Sequence, residues 1–214
     1  DLFAEEIAAE ATNYTTDCLF ESDLELLMPA TYVESVSERI QLYRRLDGLK
    51  TEEELQAFEA ELKDRFGELP EVTKELIQVV RLRHIGMRSG IEKMTLRKGK
   101  LTAYLLSNFD SKFYQSEIFN KMLMYAVENP RGTLFKEENG KRTLTLLNIS
   151  SVQQAYDCFM QMQWYRRDLM PIGQPSYYKR ATQRYPLKLG GICIKYSIFP
   201  TIITTFGLRE NKYS

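Results

Sequence analysis

The sequence predicts an α+β fold in which a helical part precedes a layer of strands and helices. Three amphipathic segments, the first two with capping signals, follow one another closely between residues 35 and 90. Two pairs of short β-prone segments come after residue 90, each pair joined by a turn that contains glycine. One further helical segment follows each pair, which gives the order ββαββα. Helices and strands segregated in this way are typical of the α+β class.

Capping signals mark the first two of about three amphipathic helices. Ser35 and Glu38 have the spacing of a capping box, and Thr51 and Glu54 repeat that spacing. Gly48 ends the first helix. The predicted apolar face of that helix consists of Val36, Ile40, Tyr43 and Leu46. The short links between these helices indicate antiparallel packing.

A break with the sequence "DRFGELP" separates the second helix from the third. Gly67 suits the left-handed conformation that follows a helix C-terminus. Pro70 suits the first turn of the next helix, where an N–H would have no partner. We interpret both residues as scaffold rather than as a functional site.

The strands are predicted from turns and alternation. Lys98-Gly99 is the turn of a first hairpin, and Asn139-Gly140 has the preferred sequence of a type I′ turn for a second. The helices between and after the hairpins are predicted in "SEIFNKMLMYAVEN" and "SSVQQAYDCFMQMQ". Residues 23–33, "DLELLMPATYV", are predicted to form a short extended segment.

Charge and composition divide the chain into three parts: a lead-in at residues 1–22, a domain at 23–163 and a basic extension at 164–214. Residues 1–30 contain eight acids and no lysine or arginine, whereas residues 164–214 contain nine bases and two acids. The extension has no periodic pattern. It is predicted either to bind nucleic acid through arginines and tyrosines or to have no evolved role.

Several classes of site find no support in the sequence. The three cysteines form no CxxC pair and there is one histidine, so no zinc-ligand spacing is present. No GxxxxGK[ST] phosphate loop occurs. The acids at 52–54 fit the first turn of a helix better than acid–base chemistry. The sequence therefore predicts no catalytic, cofactor-binding or metal-binding residue, and without a long apolar run or leader it predicts no membrane span and a cytoplasmic location.

The helical part resembles a known family. The resemblance rests on "ERIQLYRRLDGLKTEEELQAFEAELKDRFGELPEVTKELIQVVRLRHIGMRSGIEKM". This stretch is similar to the C-terminal domain of bacterial transcription-repair coupling factor. Upstream, "DLELLMPATYV" resembles the entry strand of that domain, and "DLFAEEIAAEA" resembles the lead-in from the preceding motor module. The resemblance covers about residues 1–163, is specific over 23–93 and is absent from residue 164 onward.

The resemblance implies a regulatory part of a larger machine. The parent would be an ATP- and Mg-dependent double-stranded DNA translocase that displaces stalled RNA polymerase and recruits the excision-repair excinuclease. In that family the C-terminal domain is not the motor. It docks on the N-terminal repair-recruitment module of the same protein, masks the surface that binds the excinuclease A subunit, and restrains the motor until polymerase engagement releases it.

Two interaction surfaces are predicted from residue chemistry, and ordinary surface charge is an open alternative for both. The docking candidates lie on the first two helices, and their arginines can form bidentate pairs with carboxylates. The candidates are Arg39, Arg44, Arg45, Glu61 and Asp64. A nucleic-acid surface is the less favoured alternative, because seven bases accompany one acid between residues 81 and 100: Arg81, Arg83, Arg88, Lys93, Arg97, Lys98 and Lys100.

Overall fold

The computed structural model describes residues 13–138, 140–163, 188–189 and 192–193 of the 214-residue chain. The five helices of this described part are α1 (Val36–Gly48), α2 (Glu52–Phe66), α3 (Glu71–Arg88), α4 (Glu117–Glu128) and α5 (Val152–Gln163). The first five strands are β1 (Leu19–Ser22), β2 (Ile91–Arg97), β3 (Lys100–Leu105), β4 (Thr133–Glu138) and β5 (Lys141–Leu147). A single 3₁₀ turn covers Lys112–Gln115. The predicted α+β class and the ββαββα order after the helical part are confirmed.

The first five strands form one mixed sheet in the order β1-β2-β3-β5-β4. β1 runs parallel to β2, while β2 pairs antiparallel with β3 and β3 with β5. Lys98 and Gly99 connect β2 to β3 with φ angles of 50° and 70°. Two successive left-handed residues are the signature of a type I′ turn, so the predicted first hairpin is confirmed.

The described residues fall into two compact units. Residues up to 135, together with 141–163, form the first. The second includes residues 136–138 and 140 together with a two-stranded ladder of β6 (Lys188–Leu189) and β7 (Ile192–Cys193). The predictions for residues 1–12 and for the rest of the basic extension lie outside the described residues.

Two hydrophobic clusters fill the first unit, and α3 contributes to both. Ile77 and Val80 belong to the cluster of the helical part, which α1 and α2 complete with side chains such as Phe58. Leu82 and Ile85, further along the same helix, belong to the cluster that covers the sheet. Helix α3 therefore joins the helical part to the sheet as one continuous element.

The caps follow the local sequence, with one difference. At α2 the capping box is complete: Thr51 Oγ1 accepts from the Glu54 amide and Glu54 Oε2 accepts from the Thr51 amide, both at 3.2 Å. At α1 the Ser35 hydroxyl accepts from the Glu38 amide, but Glu38 does not return the bond. Its carboxylate pairs with Arg65 instead. The capping box predicted at Ser35 and Glu38 is therefore only half formed.

The predicted apolar face of α1 is wrong in part. Leu42 and Leu46 are buried, whereas Val36 and Ile40 face outward. Tyr43 is half-buried and its hydroxyl accepts from the amide of Met28 at 2.7 Å. The spacing alone fits two overlapping faces of a helix, and packing against α2 and α3 selects the one centred on the leucines.

Residues 23–33, predicted to be extended rather than helical, form neither a helix nor a strand, and the Tyr32 and Val33 amides both donate to the Pro29 carbonyl at 3.0 Å, which makes a turn. The strand lies just upstream as β1, within the stretch that the sequence assigns to a lead-in. Cys18, which precedes it, is fully buried in the sheet cluster, and the Tyr14 amide donates to the Met87 carbonyl at 3.0 Å. Residues 14–22 are thus packed against α3 and β2.

None of the helices in the described part combines the length and the apolar character that crossing a membrane requires.

Candidate interaction surface

An ion-pair network joins α1 to α2 and includes two of the predicted docking residues. Both terminal nitrogens of Arg45 donate hydrogen bonds to the Glu61 carboxylate, at 2.9 and 2.5 Å. Arg65 bonds the same carboxylate at 3.3 Å and also pairs with Glu38. The hydrogen bond from Arg45 lowers the pKa of Glu61. Arg45 and Glu61 therefore neutralise each other's charge, which leaves them less available to a partner protein.

Of the other three predicted docking residues, one makes local contacts and two face solvent. Arg39 is half-buried and donates to the backbone carbonyls of Val33 and Glu34, the latter at 3.0 Å, so it fixes the chain that enters α1. Arg44 and Asp64 are exposed. Among the described residues neither has an oppositely charged partner. The structure thus brings two of the five residues together, uses a third locally and leaves two facing solvent.

The basic residues of α3 are neutralised by acids that lie far away in sequence. Arg81 bonds Glu52 and Glu59 of α2, each at 2.8 Å, and its side chain is only 13% exposed. Arg83 pairs with Asp17 at 2.8 Å and with Asp47 at 2.5 Å. The Nε atom of Arg83 also donates to the Cys18 carbonyl at 3.1 Å. These two arginines tie together α1, α2, α3 and the segment before β1.

The basic residues of the first hairpin are partly neutralised as well. Lys93 and Arg97 both approach Glu21 of β1, at 2.6 and 3.5 Å. The side chains of Arg88, Lys98 and Lys100 are exposed and form no ion pair in the described part of the chain, although the Lys98 amide donates to the Asp23 carboxylate at 2.9 Å. Four of the seven predicted nucleic-acid contacts thus have carboxylate partners in the described part of the chain. The acid-rich stretch at residues 1–30 was the sequence signal for this pairing, since Asp17 and Glu21 come from it.

His84 makes a structural contact within the helical part. Its Nε2 lies 3.1 Å from the Leu49 carbonyl oxygen. Burial lowers the pKa of His84, and the hydrogen bond to Leu49 opposes that effect only in part. A neutral imidazole that holds the loop between α1 and α2 is a structural group. In the described residues no cluster of three or more His, Cys, Asp or Glu side chains could hold a metal ion.

A groove of about 460 Å³ lies at the C-terminal end of α4, between that helix, the strand β5 and α5. Its lining includes Tyr125, Glu128, Arg131 and Cys158. Burial raises the pKa of Tyr125 to about 12 and also raises the pKa values of Glu128 and Cys158. The groove therefore brings together a phenol, a carboxyl group and a thiol whose protonated forms are favoured by burial.

Comparison with known proteins shows that the helical part and the first hairpin are similar to a described family. The family model "TRCF domain" matches residues 22–116. The transcription-repair-coupling factor of Escherichia coli (strain K12) is 38% identical over 68 residues, which are 32% of this chain and 6% of that protein. Transcription-repair-coupling factors of Staphylococcus epidermidis are 28% identical over 120 residues, or 53% of this chain and 10% of theirs. The chain thus corresponds to about a tenth or less of the length of these relatives.

A solved structure supports the same fold. The crystal structure of the C-terminal domain of transcription-repair coupling factor aligns with a TM-score of 0.53 and 16% identity. The alignment covers 69% of this chain and 96% of that domain. Almost the whole of the solved domain is therefore represented in this α+β fold.

Proposed function

We propose, taking this chain as the C-terminal domain of a transcription-repair coupling factor, that it is a non-catalytic regulatory module of a DNA translocase. The TRCF domain match over residues 22–116 carries the proposal. The resemblance found in the sequence and the alignment with the solved C-terminal domain agree with it. ATP and Mg would belong to the motor of the parent protein, so the chain itself should hydrolyse no ATP.

The module would act by docking on the N-terminal repair-recruitment module of the same polypeptide. Docking there would mask the surface that the excinuclease A subunit binds and would restrain the motor. Engagement with RNA polymerase would release it. The exposed charges of Arg44 and Asp64 support this role, because in the part that the structure describes they form no ion pair and are available to a partner.

Weak contacts are sufficient for such a device. Two modules joined by a flexible linker meet at an effective concentration of about a millimolar, so an interface that is weak between separate molecules can still hold the closed state. The A subunit would then bind only the open fraction, and its apparent affinity would fall in proportion to that fraction. Partner binding and domain release are thus reciprocally linked.

The direct test is competition in trans. A parent protein that lacks this domain is titrated with the excinuclease A subunit while the purified domain is added at concentrations up to about millimolar, the range of the tethered contact. The proposal predicts that the added domain progressively weakens A-subunit binding. A-subunit binding that does not respond to the domain over this range would refute the masking role.

The paired bases argue against the nucleic-acid alternative. A phosphate-binding surface needs cations that are free to replace counterions. Arg81, Arg83, Lys93 and Arg97 instead have carboxylate partners within the fold. We therefore retain protein docking as the proposed role and treat DNA contact as an outcome to be measured.

A further inference from the structure

An exposed apolar stripe runs along α1 on the side away from its buried leucines. Val36 is 62% exposed and Ile40 is 45% exposed, although both are large hydrophobic residues. Residues four positions apart lie on the same side of a helix, so Val36, Ile40 and Arg44 form one continuous row. Leu42 and Leu46 cover the opposite side and fill the helical cluster. We call the row Val36–Ile40–Arg44 the α1 stripe.

The charge at the end of the α1 stripe is not neutralised within the described residues. The two neighbouring arginines are engaged, Arg39 by backbone carbonyls and Arg45 by Glu61. Arg44 is exposed and makes no ion pair in that part of the chain. A guanidinium with free donors is suited to a two-pronged bond with a carboxylate. The α1 stripe therefore offers apolar surface at one end and a carboxylate-binding group at the other.

We infer that the α1 stripe is a docking surface for an apolar patch flanked by carboxylates elsewhere on the same polypeptide. This inference rests on the proposed function and names the part of the domain that makes the contact. The two apolar side chains would bury their exposed area against that patch. Arg44 would pair with the flanking carboxylate and fix the orientation of the domain, since charge complementarity sets register more than affinity.

The size of the α1 stripe favours a tethered partner over a second copy of the chain. A stable interface between separate proteins uses about 20–30 residues on each side. Three residues on one helix are far fewer than that number. Such a contact can be populated when the partner is held at high effective concentration by the same chain. The curated relatives carry this region as a tenth or less of their length, so most of their sequence lies outside it.

The test measures the solvent access of the α1 stripe in the full coupling factor that contains this chain. Ile40→Cys is labelled with a maleimide, and the labelled peptide is quantified by mass spectrometry. The inference predicts that labelling is about tenfold slower in the full protein than in the 214-residue chain alone, as for a contact that is mostly closed. Val127→Cys on α4 is the matched control, because Val127 is also an exposed apolar residue on a helix, at 39%. It should be labelled equally fast in both proteins.

Variants of Arg44 test the charged half of the contact. In the full protein, Arg44→Glu should return the labelling rate of Ile40→Cys toward that of the chain alone, because it places like charges together. Arg44→Lys should have a smaller effect, since lysine keeps the charge but loses the two-pronged geometry. Circular dichroism of each variant should match that of the unmodified chain, since the substituted sites are exposed.

Three results would overturn the inference. The first is equal labelling of Ile40→Cys in the two proteins, and the second is equal protection of Ile40→Cys and Val127→Cys. The third is protection of Ile40→Cys in the chain alone that increases with concentration, which would assign the α1 stripe to a second copy. If Ile40→Cys is protected but removal of the domain leaves A-subunit affinity unchanged, docking at the α1 stripe stands and the masking function fails.

Discussion

Replacing Gly86 with alanine tests whether the segment before β1 is packed against α3. Gly86 lies inside α3, where alanine would ordinarily stabilise a helix by about 1 kcal/mol relative to glycine. Here the added Cβ would lie 2.7 Å from the Cys18 sulfur, 2.8 Å from the Met94 methyl carbon and 3.2 Å from the Cys18 Cβ. The methyl group of Met94 can rotate away. Cys18 is fully buried and has little room to move.

The two effects oppose each other, and the steric one should prevail. Overpacking a well-filled core costs about 1–3 kcal/mol. After the helix-propensity gain of about 1 kcal/mol is subtracted, Gly86→Ala should destabilise the domain by about 1 kcal/mol. In a Cys18→Ala background the sulfur contact is absent, so the same substitution should be less unfavourable by about 1–2 kcal/mol, a coupling expected of touching residues.

Urea titration followed by far-UV circular dichroism measures the free energies of unfolding. Gly48→Ala at the end of α1 is the matched control, because nothing lies within 4 Å of the Cβ that it would add. That substitution should stabilise the domain by about 0.4–1 kcal/mol. If Gly86→Ala stabilised the domain as much as Gly48→Ala does, Cys18 would not be packed on α3, and the placement of β1 beside β2 would be wrong.

Three further predictions concern pH, DNA and truncation. Burial lowers the pKa of His84 below its ordinary 6.5, so the unfolded chain takes up the proton at a higher pH than the folded one, and stability should fall as the pH falls below about 6.5. His84→Gln should flatten that dependence in urea titrations at several pH values. An unchanged profile would contradict the burial of a neutral His84. Within the described part of the chain, only Arg88, Lys98 and Lys100 of the predicted basic surface form no ion pair. For the chain truncated after Gln163, the plot of log affinity for duplex DNA against log salt should therefore have a slope no steeper than about −3, which a filter-binding series checks and a steeper slope would refute. Truncation after Gln163 should leave the thermal transition nearly unchanged, whereas a loss of helicity on truncation would show that later residues supply core.

Signals that act within a few residues could be read from the sequence. The capping box at Thr51 and Glu54 and the positive φ of Gly67, 86°, each accompany hydrogen bonds that span three or four positions. The turn at Lys98-Gly99 is equally local. Such features are set by backbone stereochemistry, and this is why the five helices of the described part and the first hairpin were predicted correctly.

Features that depend on distant partners could not be read in the same way. Arg45 and Glu61 were predicted to face another protein because their residue types suit an interface, yet they are 16 positions apart and pair with each other. β1 has four residues and lies parallel to β2, so no hairpin turn in the sequence indicates that the two strands pair. The burial of Cys18 depends on the absence of a side chain at Gly86, which only the folded arrangement reveals.

The affinity of the excinuclease A subunit for the parent protein, with and without this domain, tests the central proposal most directly. Both proteins are titrated with the A subunit under the same salt, with calorimetry or fluorescence anisotropy as the readout. The account predicts that removal of the domain strengthens binding, by about tenfold if the closed state holds nine-tenths of the molecules. Equal affinities for the two proteins would contradict it, because a domain that hides the recruitment surface must weaken binding to that surface.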